Sequence, residues 1–297
     1  MRAILPAGAV VATVIVSGCA AGIAERSSRE GPFTFAVIAD VQYADKDGGR
    51  RRRYRESREM LRECVADLDT RDLAFVIQLG DMIDGYKDAA RSVADLDTIL
   101  AEFKGLSAPL YHVVGNHCLN AGREALLGRL GLARAYYDFT RPEAPGWRFV
   151  VLDGNDAGYG VVSEPQLEWL ASTLTSARDR GEKVIVFCHF ALLKEAARRH
   201  RMGKPQPVLD MVNSSGCVVA YFAGHDHNGG YAKDRGVHHV TVKGMVEAPA
   251  KGRYCVITVH ADRISMIGMG DEESREMPLV EAEAKGQDAA PASEAAR

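Results

Sequence analysis

Apolar residues run in short, nearly unbroken blocks along the middle of the chain, each closed by a small or polar residue. Residues 33–39, 73–79, 110–114, 148–153, 183–188 and 217–223 form such blocks. They are rich in valine, isoleucine and phenylalanine and too short for helices, which predicts strands. Unbroken apolarity, rather than alternation, predicts strands buried on both faces, as in a largely parallel sheet. Between them, residues 51–68 show helical spacing through Tyr54, Met60, Leu61, Cys64, Val65 and Leu68, and residues 89–103 predict a second helix. Ser163-Glu164-Pro165-Gln166 supplies a capping serine with proline in the first turn of a third. Residues 191–200 read as a helix or a capping segment. Strand and helix thus alternate, the pattern of an α/β fold. Residues 237–242, 254–259 and 263–267 succeed one another without helices between them, which predicts an antiparallel meander at a sheet edge.

Composition narrows the class without adding detail. The chain has 297 residues, 46% hydrophobic and 26% charged, enough for one large globular domain. A formal net charge of −3 gives no basic face for nucleic acid, so an anionic substrate needs local cations or metal. Besides Cys19 there are Cys64, Cys118, Cys188, Cys217 and Cys255, an odd number without paired spacing, so no disulfide framework is visible. Cys188, Cys217 and Cys255 lie in strand-like blocks as small hydrophobes.

The two ends read differently from the middle. Met1-Arg2, an apolar stretch over 4–16 and Val16-Ser17-Gly18-Cys19 have the form of a secretory signal, and the last four residues resemble a bacterial lipobox. That places residues 1–19 in a lipoprotein-type signal peptide, 20–31 in a tether and 32–270 in the folded domain. Lipid on Cys19 would anchor the protein outside the cytoplasm, on the periplasmic or cell-surface side of a bacterial membrane. Residues 271–297 are acidic and alanine-rich with few aromatic residues, which predicts a disordered tail.

Candidate chemistry sits at the strand ends. Asp40 and Gln42 close the first block, Asp81 the second, Asn116 and His117 come after the third, His189 after the fifth, and Gly224-His225-Asp226-His227 after the sixth. Open α/β sheets put ligands beyond the carboxyl ends of their strands. Each residue alone has a plain explanation, since aspartate and asparagine favour turns. Their repeated placement is the signal: carboxylates, amide oxygens and imidazoles gathered on one sheet edge suit a pair of divalent ions. The run Arg50-Arg51-Arg52-Arg53-Tyr54-Arg55 reads equally as a solvated helix face or as arginine forks for phosphate oxygens. His112, His200 and His260 read as non-catalytic, while His238 or His239 is a candidate for supporting a metal ligand from behind.

In this order the motifs, Asp40-Val41-Gln42, Gly80-Asp81 with Asp84-Gly85, Gly115-Asn116-His117, His189 and Gly224-His225-Asp226-His227, resemble those of the calcineurin-like metallophosphoesterases. The resemblance spans residues 33 to about 269. Glutamine at the first motif, the basic run and Gly229-Gly230-Tyr231 are similar to the manganese-dependent ADP-ribose/CDP-alcohol diphosphatases. It implies a four-layer α/β/β/α sandwich with mixed sheets and two divalent ions, manganese foremost, with magnesium, iron or zinc as alternatives. Asp40, Gln42, Asp81 and His227 would hold one ion, and Asp81, Asn116, His189 and His225 the other. His117 would serve the leaving oxygen, hydroxide formed on the ions would attack phosphorus, and the pyrophosphate bond of a small nucleotide substrate would break. Arg52, Arg53, Tyr54 and Cys118 are the candidate substrate contacts. The family's glutamate after Gly-Asn-His is absent, Cys118-Leu119-Asn120 standing there instead, which bears on substrate fit more than on metal. The alternatives are an exported phosphodiesterase or phosphomonoesterase of broad substrate range, or a metal-poor scaffold, which a full ligand set argues against. A monomer is expected.

Overall fold

The computed structural model describes residues 31–279 apart from Arg50 and Ala250. The expected signal peptide with Cys19, most of the tether and the tail beyond residue 279 lie outside the described residues.

Two six-stranded sheets carry the fold. β1 (Phe33–Ile38), α1 (Glu56–Asp69), β2 (Phe75–Gln78), α2 (Ala89–Phe103) and β3 (Leu110–His112) come first. They form an α/β series in which β1, β2 and β3 pair in parallel. A 3₁₀ turn at Cys118–Ala121 and α3 (Arg123–Leu130) lead to β4 (Tyr137–Phe139), β5 (Trp147–Val151), α4 (Glu164–Asp179), β6 (Lys183–Phe187), α5 (Gln206–Ser214) and β7 (Val218–Ala223). β8 (Gly230–Asp234), β9 (Val237–Thr241), β10 (Tyr254–Val259), β11 (Arg263–Met269) and β12 (Arg275–Pro278) complete the order. One sheet runs β12-β11-β10-β1-β2-β3 and the other β4-β5-β6-β7-β9-β8.

Burial explains the unbroken apolar blocks. The inward faces of both sheets meet in one core that contains Phe35, Phe75, Phe149, Phe187 and Phe222, with the Phe35 and Phe75 rings stacked at 4.7 Å. The outer face of the first sheet is covered by α1 and α2 through Leu61, Leu68, Leu96 and Ile99. That of the second is covered by α4 and α5 through Leu170, Leu174 and Val208. Strands with a layer on each side need apolar residues at successive positions, not alternate ones. The layers are therefore α/β/β/α, as expected.

Three expectations are corrected. β9 is not part of the terminal meander: it pairs in parallel with β7 in the second sheet, and the chain crosses to the first sheet before β10, which lies antiparallel to β1. A helix-free connection signals the crossing ambiguously, since a strand change between sheets needs no helix either. The tail does not begin at residue 271, because β12 pairs with β11, Ile264 opposite Met277, and Met277 is fully buried. Acidic composition averaged over the segment conceals that single anchor. Residues 191–200 form turns rather than a helix. β4, β8, α3 and α5 carry little sequence signal: β4 is three residues long, β8 is an edge strand with no buried residue, and the helices α3 and α5 bury one and two side chains.

Candidate metal centre

Parallel strands within each sheet bring their C-terminal ends to one rim, and the two rims meet. Asp40 lies just past β1, Asp81 past β2, Asn116 past β3, His189 past β6 and His225 past β7. Asp40, Asp81, His189 and His225 are all buried, with ligand atoms within 4.8 Å of one another.

Hydrogen bonds join the set, some within one rim and others across the seam between the sheets. The His225 amide donates to Asp40 Oδ2 at 2.9 Å, and the His117 amide donates to Asp81 Oδ1 at 2.8 Å. His189 Nδ1 lies 2.8 Å from the Leu79 carbonyl oxygen, which takes the Nδ1 proton and turns Nε2 to the cluster. That nitrogen is 3.1 Å from Asp81 Oδ2, 3.2 Å from Asn116 Oδ1 and 3.1 Å from His225 Nδ1. His227 is arranged likewise, with Nδ1 3.0 Å from Glu247 Oε1 and Nε2 3.4 Å from Asp40 Oδ1. Gln42 Nε2 lies 3.4 Å from Asp81 Oδ2. All seven residues expected as ligands therefore converge.

Local backbone is bent to serve this convergence. Among the described residues six non-glycine residues have positive φ, and four of them are Asp40, Gln42, Asp81 and His225; such strain persists where the surroundings over-determine it, commonly at functional sites. The glycines before two of the expected ligands make room for other residues of the set. A Cβ on Gly115 would lie 2.2 Å from Asp81 Oδ1, and one on Gly224 would lie 2.5 Å from Asp40 Oδ2.

The donor set fits a divalent cation. Asp40 Oδ1 and Gln42 Oε1 are buried without a hydrogen-bond partner, and an unsatisfied buried polar atom costs about 1–3 kcal/mol. A cation among these oxygens would satisfy both. Without one, protons do the balancing: burial opposes charge on His189, yet the Asp81 carboxylate beside it raises it to about 9. Burial opposes it on His227 too, and Asp40 and Glu247 raise that group to about 9. Asp81, though burial works against its ionisation, is held well below the usual carboxylate range by His189, His117 and His225.

Over the cluster lies a cavity of about 270 Å³ lined by Arg51, Arg52, His117, Tyr159, Arg199 and His200, among others. His117 is held through Nδ1, 2.7 Å from the Asp84 carbonyl oxygen. Of the expected substrate contacts, Arg52 lines the cavity and pairs with Asp84 at 3.2 Å. Arg53 and Tyr54 do not line it: the Arg53 amide bonds the Val246 carbonyl at 2.8 Å, and the Tyr54 ring faces the Lys46 ammonium at 4.5 Å. Cys118 is buried beneath, its sulfur accepting from the Met82 amide at 3.3 Å. Neither His238 nor His239 supports a ligand. His238 bonds the Tyr231 hydroxyl and the Pro278 carbonyl, and both His239 nitrogens are buried without partners. His200, read as non-catalytic, lies beside the site, its ring 5.2 Å from that of His225. Glu247, Tyr159 and Arg199 escape sequence reasoning because they lie on connections, where no periodicity singles out a residue.

Comparison with known proteins agrees with this geometry. The family model described as calcineurin-like phosphoesterase matches residues 33–229. A protein of Oryza sativa subsp. japonica named manganese-dependent ADP-ribose/CDP-alcohol diphosphatase is 33% identical over 86% of this chain and 97% of its own length. The Homo sapiens protein of the same name is 29% identical over 84% and 94%. A crystal structure of a dimetal phosphatase from Danio rerio superimposes with a TM-score of 0.77 at 30% identity, covering 84% of this chain and 99% of that one. Motif order, layer arrangement and rim geometry thus lead to one conclusion, that this chain belongs to the calcineurin-like phosphoesterases and is a metal-dependent hydrolase.

Proposed function

We propose that this enzyme hydrolyses the pyrophosphate bond of nucleoside diphosphate derivatives such as ADP-ribose or CDP-alcohols, with two divalent ions, manganese foremost. The observation that carries the reading is the convergence of seven oxygen and nitrogen donors, two of whose oxygens are buried without partners, under a cavity with arginines at its wall. The names of its relatives support the substrate class.

Asp40, Gln42, Asp81 and His227 would hold one ion, and Asp81, Asn116, His189 and His225 the other, Asp81 serving both. Ions held there would supply charge to neutralise phosphoryl oxygens and would make a water nucleophilic near neutral pH. The chain's own residues do the rest. Arg52, with its guanidinium fixed by Asp84 at 3.2 Å, and Arg51 offer forks to the diphosphate. His117 donates Nδ1–H to the Asp84 carbonyl, so Nε2 is left for the cavity, where the doubly protonated ring can give its Nε2 proton to the leaving oxygen and remain neutral with Nδ1–H on Asp84. Glu247 holds His227 by Nδ1, which fixes the ring edge that Asp40 faces.

The test is hydrolysis of ADP-ribose, CDP-choline, a cyclic nucleotide and a simple phosphomonoester by chelated protein resupplied with manganese, magnesium or zinc. Manganese should restore most activity, on the two diphosphates. A phosphomonoester as best substrate would replace this reading with that of a broad phosphoesterase. We further propose that the enzyme works outside the cytoplasm on a lipid at Cys19, a reading supported by Val16-Ser17-Gly18-Cys19. Release from the membrane fraction in a Cys19→Ala variant is the expected result.

A further inference from the structure

The ring of His225 is enclosed by aromatic neighbours. Centroid distances are 4.6 Å to Phe190, 4.7 Å to His189, 5.2 Å to His200 and 5.8 Å to Tyr159. Its nitrogens face opposite ways. Nδ1 looks into the donor cluster, 3.1 Å from His189 Nε2, while Nε2 lies 2.7 Å from the Tyr159 hydroxyl. Among the described residues no other hydrogen-bond partner reaches Nε2.

Tyr159 is 57% exposed. A tyrosine so placed ordinarily turns its hydroxyl to water, but here the hydroxyl meets the ring nitrogen of a histidine only 8% exposed. The loop beneath it is firmly tied. The Ala157 amide bonds the Val161 carbonyl at 3.1 Å and the Val161 amide bonds the Gly158 carbonyl at 3.0 Å. The Gly160 carbonyl accepts from the amides of Gly203 at 2.8 Å and Lys204 at 3.2 Å. Upstream, Arg123 pairs with buried Asp153 and donates to the Asn155 carbonyl at 2.8 Å. The tyrosine therefore stands on a braced tip, its ring edge-on to Phe190 at 5.1 Å.

We propose that Tyr159 is a positioning residue for His225. Its hydroxyl oxygen accepts the Nε2 proton, which keeps that proton off Nδ1 and leaves the Nδ1 lone pair pointing at the space shared with Asp81 and His189. An imidazole without this partner is free to carry its proton on Nδ1 and to turn, either of which spoils it as a ligand. The inference rests on the two-ion reading proposed above and assigns to this chain a partner for its second ion site.

The test is manganese binding by the full chain after chelation, followed by calorimetry and by the spin-resonance signal of bound manganese, for wild type, Tyr159→Phe and His225→Ala. Tyr159→Phe retains the ring and its packing and removes one hydrogen bond, so the melting temperature of the ion-free protein should fall by no more than a few degrees. We expect one ion to bind Tyr159→Phe as it binds wild type and the other to bind about tenfold more weakly or worse, the same ion that His225→Ala loses. Turnover of ADP-ribose should fall when manganese is scarce and recover in excess, with KM unchanged. Wild-type affinity for both ions in Tyr159→Phe would overturn the assignment, as would a raised KM at saturating manganese with both affinities intact. A wild type whose manganese binding is indifferent to His225→Ala would instead overturn the two-ion reading itself.

Discussion

His117 Nδ1 lies 2.7 Å from the backbone oxygen of Asp84 and 3.5 Å from its carboxylate. The same carboxylate pairs with Lys46 and with Arg52, so the ring proposed to serve the leaving group and an arginine at the cavity wall share one anchor. His117→Ala should cut turnover by about 10²–10⁴-fold, the usual worth of a general acid, while manganese content stays at the wild-type level. Equal loss of metal and activity would make His117 a structural residue.

Gln42 presents an amide oxygen where an imidazole would be a softer donor of the same charge. Its Oε1 is buried and unpartnered, so it is available to a hard cation. Gln42→His should shift the preferred ion from manganese toward zinc, read as the ratio of activities in the two metals and by competitive binding.

Ion uptake should release protons. His189 and His227 stand near 9 in the ion-free protein, so both are charged at neutral pH and must lose a proton to become ligands. Affinity should therefore rise with pH up to about 9 and fall by as much as about tenfold per proton for each pH unit below that. Calorimetry in buffers of different ionisation enthalpy reads the proton count. The sign for stability without ions is the reverse: raised pKa values stabilise the fold below the unfolded value of about 6.5, and that gain is lost as pH rises through about 9.

Acid should weaken the fold through buried neutral histidines. Burial holds His239 near 4 and His112 near 4, against about 6.5 in an unfolded chain. The unfolded state takes up these protons first, so the contribution of these two groups is complete above pH 6.5 and declines as pH falls toward 4, by about 1.4 kcal/mol per unit for each group. His239→Leu removes one titrating group and two unpartnered nitrogens. Its melting temperature should drop less than that of wild type between pH 6.5 and 4; parallel curves would show that His239 gains its proton in the folded protein.

Asp40, Asp81, Asn116, His189 and His225 are legible because a strand buried on both faces is made mostly of apolar residues, so a run of valines and phenylalanines flags the polar side chains that stand just beyond it. β12 and β8 are not, one hidden in an acidic segment with a single buried methionine, the other an edge strand without a buried face. Tyr159 and Glu247 are illegible for a different reason. Their importance comes from meeting His225 and His227 across 66 and 20 residues of chain, and nothing local in a connection encodes its distant neighbour. Cys118 misleads because adjacency to His117 in sequence does not survive the 3₁₀ turn at Cys118–Ala121, which sends its thiol inward.

The donors are split between the two sheets, Asp40, Gln42, Asp81 and Asn116 standing beyond strands of one and His189, His225 and His227 beyond strands of the other. Neither half of the polypeptide holds a working set, so cations would act as rivets through a joint that otherwise closes on greasy contact and a handful of polar stitches. Chelation should then make that rim, and not the opposite one, the first place where the sandwich gapes to solvent deuterium.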